Sequence, residues 1–143
     1  MVSRGVPAAS IVLAGDGAGG GLAFSCALAI RNASLPMPAG VVAMSPWADV
    51  TLSGWSMLQN ARNDAALSWQ LLFHCVRHYQ KKAKPADPYA SPVYADLHDF
   101  PPIMVHAGSQ EILRDDASRL GNLASRLDSG SDEIRIVAAA KPG

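Results

Sequence analysis

Two groups of residues in this 143-residue chain have types and spacings that could do chemistry. Gly15, Gly17 and Gly20 spell G-x-G-x-x-G, a pattern whose bare backbone lets a pyrophosphate approach the N-terminus of a helix. That chemistry also requires an acidic residue about 20 positions further on to hold the ribose hydroxyls. Pro38, Ala39 and Gly40 stand there instead, so a dinucleotide site is the weaker reading. The same turn fits a sharp strand-to-helix elbow, which lifts one residue above a sheet and needs small neighbours. In the second group, His74 and His78 lie one helical turn apart with Cys75 between them, so two imidazoles could face one metal. The glutamate of H-E-x-x-H is absent and no third ligand stands at a diagnostic spacing. A solvated helix face is the expectation, with no metal and no cofactor.

The elements that must position these residues follow from the apolar pattern. Ala9 to Ala14 is a short apolar run that stops at the glycine cluster Gly15 to Gly21, and reads as a strand entering a tight turn. Leu22 to Ile30 is apolar nearly all round and predicts a helix buried on most of its surface. Gly40 to Met44 and Ile103 to Ala107 read as buried strands, and Glu133 to Ala138 as a fourth. Asp64 to Tyr79 has helical spacing, with Asn63 or Asp64 available as N-cap, and Arg114 to Leu127 predicts a second amphipathic helix capped near Asp115. Five prolines between Lys81 and Pro102 predict a long ordered loop. Strands alternating with helices imply an α/β fold: a mostly parallel sheet of about four strands with helices on both faces. Parallel strands put all their C-terminal ends on one edge, where ligands bind. His106 falls inside a strand and is expected to be a structural core histidine, and Trp47, Trp55 and Trp69 are expected to pack in the core or loops.

Composition narrows the function classes. Twelve basic residues balance twelve acidic ones, and 49% of residues are apolar. A net charge near zero argues against a nucleic-acid arm or a polybasic membrane anchor. The longest charge-free stretches, Gly17 to Ile30 and Asn32 to Ala48, are too short or too rich in proline to span a bilayer. The start of the chain lacks the apolar core of a secretory signal, and Cys26 and Cys75 form no CxxC pair, so a reducing cytoplasm is the expected location.

Several blocks together resemble one family. Ile11-Val12-Leu13-Ala14-Gly15-Asp16-Gly17-Ala18-Gly19-Gly20 is similar to the G-D-S-A-G-G elbow of the hormone-sensitive-lipase-like branch of the α/β-hydrolases. Ser45-Pro46-Trp47-Ala48-Asp49, Asp87-Pro88-Tyr89-Ala90-Ser91-Pro92, Phe100-Pro101-Pro102-Ile103 and Gly108 to Asp116 continue the likeness in the family's order. The resemblance implies a carboxylic-ester hydrolase that works through an acyl-serine, with a small acyl ester as substrate. It places residues 1–143 as a partial domain, running from the elbow strand to the last strand, of a hydrolase roughly double the length. Gly17 then stands where the family has its nucleophilic serine and cannot form an acyl-enzyme. Glu111 matches the triad acid, and the Ala18 backbone N–H matches one oxyanion donor. The family's histidine would follow Pro142-Gly143, so the chain is expected to be inactive as spelled. A non-catalytic binding protein that keeps the hydrolase pocket is the alternative. An internal strand exposed by the absence of a first half also implies poor folding and self-association through its edge.

Overall fold

The computed structural model describes residues 5–79, 84–127 and 134–139, the last segment as backbone. Four strands, β1 (Val12–Asp16), β2 (Gly40–Met44), β3 (Ile103–Gly108) and β4 (Ile134–Ala139), form one parallel sheet in the order β1-β2-β3-β4. The helices are α1 (Ala18–Asn32), the short α2 (Ser56–Gln59), α3 (Trp69–Tyr79) and α4 (Arg114–Leu127).

The first strand starts later than its apolar run suggests. Ala8–Ser10 closes instead into a 3-10 turn, with the Ser10 N–H donating to the Pro7 carbonyl, and the strand then extends through Gly15 and Asp16. Helix α1 likewise starts four residues early, at Ala18, because a single residue, Gly17, completes the turn. Helix α3 is shorter than predicted: Ser68 rather than Asn63 or Asp64 receives the Leu71 N–H as its cap. Asp64 instead closes a turn onto the Ala66 and Leu67 N–H groups. Glu133, the expected start of β4, lies outside the described residues, as do Lys81, Pro142 and Gly143.

The parallel sheet and its crossover helices are as expected; of the described helices, α1 and α4 pack on the sheet, both on one face. Strands added one after another in a single direction, each through a right-handed crossover, place every connection on the same side. One core forms there: Phe24, Ala27 and Leu28 of α1 and Leu120 and Ala124 of α4 close over Val41, Ala43, Ile103 and Val105. Phe24 is fully buried and stacks on Phe100 at 6.2 Å between ring centroids. A second cluster, Met57, Leu72, Ile112 and Leu113, joins α2 and α3 to the start of α4.

The opposite face is bare among the described residues. Val12, Ala14 and Asp16 of β1, Met44 of β2, and Met104 and His106 of β3 are exposed there. His106 is therefore not the core histidine that its strand position suggests; alternation puts it on the uncovered side. Helix α1 also departs from the expected burial, leaving Leu22 and Cys26 exposed. No helix among the described residues is long and apolar enough to cross a membrane.

Candidate functional site

The C-terminal ends of β1, β2 and β3 stand side by side, since the register aligns Asp16 with Met44 and Met44 with His106. Their exits carry Gly17, Ser45 to Asp49, and Ser109 to Glu111.

Gly17 makes the sharp turn from β1 into α1 with φ +55° and ψ −120°, a conformation that L side chains rarely adopt. The turn is held from both sides: the Gly17 N–H donates to the Met44 carbonyl at 2.9 Å, and its own carbonyl accepts from the Trp47 N–H at 2.8 Å. A Cβ built on Gly17 would meet nothing within 4 Å, so a side chain there has free space over the strand ends. Close packing below explains the other small residues. A Cβ on Gly15 would land on the Gly19 carbonyl, and one on Gly21 on the Trp47 carbonyl. Ala18 is the first residue of α1, so its N–H is among the donors a helix leaves without an internal partner.

Glu111 sits in the turn after β3, its N–H donating to the Gly108 carbonyl at 3.3 Å. Its side chain folds back over Gly108, and its Oε2 is buried with no hydrogen-bond partner. The turn is braced by residues that sequence reading did not single out. Asn60 Nδ2 donates to the Ser109 and Glu111 carbonyls, at 3.2 and 2.8 Å, and Asp64 Oδ2 accepts the Ile112 N–H at 2.9 Å. Burial pushes the Asp64 carboxyl upward, but the N–H groups of Ile112, Leu67 and Ala66 outweigh it and hold it below the usual range.

The Ser45 to Asp49 loop is latched to α4. The Ala48 and Asp49 N–H groups both donate to Asp116 Oδ2 at 2.9 Å, and Arg119 Nη1 donates to Asp49 Oδ2 at 2.7 Å. Asp49 also accepts from Thr51 and Ser53. Both carboxylates are fully buried. Burial raises the Asp49 carboxyl, yet the Ser53, Thr51 and Arg119 donors hold it below its ordinary value. Burial with the neighbouring Asp49 charge pushes Asp116 up to about 7, against the opposing Ala48 and Asp49 N–H groups; its Oδ1 has no partner. Asp115, expected as the α4 N-cap, lies inside the helix and instead pairs reciprocally with Ser56: the Ser56 N–H donates to its Oδ2 and its own N–H to Ser56 Oγ. A carboxylate in the first turn of one helix thereby caps another.

An apolar cavity of about 390 Å³ opens beside the elbow, with Ala18, Gly19, Leu22, Trp47, Cys75 and Tyr79 among its lining. Trp47 packs against the second cluster and donates its Nε1–H to the Asp49 carbonyl at 3.1 Å, Trp69 stacks on Phe73, and Trp55 stands largely in solvent. The His74 and His78 rings lie 4.5 Å apart between centroids, and no third His, Cys, Asp or Glu joins them among the described residues.

Comparison with known proteins places this geometry. A family model described as the alpha/beta hydrolase fold matches residues 2–137. The chain is 37% identical over 124 residues to an acetyl-hydrolase of Streptomyces hygroscopicus, covering 87% of this chain and 42% of that protein. It is 36% identical over 129 residues to an esterase of Acinetobacter venetianus, covering 90% and 43%. A solved esterase from the bacterial hormone-sensitive lipase family superposes with a TM-score of 0.86 at 34% identity, over 98% of this chain and 45% of that one. The chain thus spans less than half the length of the relatives it matches. With the elbow, the parallel sheet and these matches in agreement, the chain belongs to the α/β-hydrolase fold family, in its hormone-sensitive-lipase-like branch.

Proposed function

We propose that this chain carries the elbow and acid side of a carboxylic-ester hydrolase site and, with glycine at position 17, binds acyl ligands without hydrolysing them. The observation that carries the reading is the backbone of Gly17: a doubly anchored, positive-φ turn with open space where a side chain would project. The turn presents a nucleophile position over the strand ends, yet the atom that would attack an ester is missing. Glu111 takes the role of triad acid, and its buried, unpartnered Oε2 is an acceptor suited to an imidazole N–H. The Ala18 N–H takes the role of oxyanion donor, at the positive end of α1. The cavity beside them accommodates a short acyl chain. Two free cysteines, Cys26 and Cys75, suit a reducing cytoplasm. The β1 edge and the sheet face, uncovered among the described residues, support self-association.

The test is a chimera in which the Acinetobacter esterase supplies the segments before residue 8 and after residue 139, with either Gly17 or Gly17→Ser. The serine chimera should hydrolyse p-nitrophenyl butyrate, and the glycine chimera should bind butyrate without turnover. Hydrolysis by the glycine chimera would overturn the reading. So would a folded serine chimera that stays inactive.

A further inference from the structure

The neutral charge of the whole chain hides a segment of one sign. From residue 65 to residue 86 there is no Asp or Glu, while Arg77, Lys81, Lys82 and Lys84 are basic. The remainder of the chain is correspondingly acidic. Helix α3 lies in this segment and buries little of itself: Leu72 is buried, Cys75 and Val76 are half-buried, and its other side chains are exposed. Trp69, Phe73 and Arg77 recur every four residues along one outer line, with the Trp69 and Phe73 rings stacked at 5.0 Å. Trp69 is 42% exposed and Phe73 44%, two adjoining aromatic side chains that water does not favour. The preceding carboxylate, Asp64, lies outside the helix and is turned onto the Ile112, Leu67 and Ala66 N–H groups.

We propose that the outer face of α3 docks on an anionic phospholipid surface, with Trp69 and Phe73 entering the headgroup layer and Arg77 at the phosphates. The combination of aromatic anchors, a cationic side chain and no carboxylate within the helix is what an interfacial helix requires, and positive charge matches an anionic leaflet. The helix is 11 residues long, so it lies on the bilayer and does not cross it. Cys75 and Tyr79 of the same helix line the cavity beside the elbow, so docking brings that cavity to the surface from which acyl ligands come. Vesicle binding requires neither hydrolysis nor ligand in the cavity, and it stands or falls separately from the function proposed above.

The test is flotation of the 143-residue chain with vesicles of phosphatidylcholine alone or with 30 mol% phosphatidylglycerol. A variant keeping Trp69 as the sole tryptophan, through Trp47→Phe and Trp55→Phe, reports insertion by a blue shift. Flotation and the blue shift should appear with the anionic vesicles and weaken as salt is raised. Arg77→Gln should weaken partitioning about fivefold. Trp69→Gln with Phe73→Gln should abolish it, while Met104→Gln on the bare sheet face should leave it unchanged. Equal, salt-independent flotation with neutral vesicles would overturn the proposal. It would equally fall if Met104→Gln removed binding, if the Trp69/Phe73 variant altered only the oligomeric state, or if the chain bound heparin but no vesicles.

Discussion

Replacing Asp116 with Asn should make the protein less sensitive to alkaline pH. The Asp116 carboxyl is fully buried beside Asp49, and its pKa rises from 3.8 to about 7. A folded-state pKa above the unfolded one means that the fold prefers the protonated acid. The associated stability is complete below about pH 4 and is lost as pH rises through about 7. At about 1.4 kcal/mol per pH unit, ionisation costs the fold about 1.6 kcal/mol at pH 5 and about 4 kcal/mol at pH 8. Asn cannot ionise, retains an oxygen for the Ala48 and Asp49 N–H groups, and puts an NH2 where Oδ1 has no partner. Urea unfolding followed by tryptophan fluorescence at pH 5 and pH 8 should therefore show the parent losing about 3 kcal/mol more than Asp116→Asn between the two. Parallel pH profiles, or an Asn variant less stable than the parent at pH 8, would refute the account of two crowded carboxyls.

Other substitutions probe the elbow and its latch. Gly15→Ala should cost several kcal/mol in urea unfolding, because its methyl collides with the Gly19 carbonyl, whereas Gly19→Ala, with open space around it, should stabilise α1 by up to about 1 kcal/mol. Gly17→Ser should fold but lose about 1–3 kcal/mol to its positive φ, measured the same way. Arg119→Ala leaves buried Asp49 without its cation and should cost about 3 kcal/mol, a loss that adding Asp49→Asn should partly reverse. Sedimentation velocity should show oligomers growing with concentration, and Val12→Lys on the bare face should shift the distribution toward monomer; a concentration-independent monomer would remove the case for self-association.

What the sequence made legible is what local pattern encodes. The glycine density at 15–21 announced a tight turn after a strand, and the apolar runs at 40–44 and 103–107 announced buried strands. The one-sided arrangement of helices was not legible there, because it depends on the order in which strands pair, and no run of residues states that order. Asp116 was equally silent: its partners at Ala48 and Asp49 are nearly 70 positions away, and a carboxylate at the start of a helix looks like a response to that helix's own dipole. The same ambiguity concealed Asp115, which serves α2 rather than α4. Asp64 did carry a turn signal, but its second oxygen reaches Ile112, a contact that only tertiary structure reveals. Arg77 and its lysine neighbours vanished in a sum taken over the whole chain, which shows that net charge describes a molecule and not its surfaces.

The strand order has a consequence for how the sheet is built in time. Each strand pairs with the one made just before it, and the longest wait is that of β2, whose Val41 takes Ile103 as its partner. A chain emerging from the ribosome can lay its strands down in sequence, each ordered edge templating the next. Assembly is then vectorial, and an interruption in synthesis should leave a shorter sheet of the same register rather than a tangle.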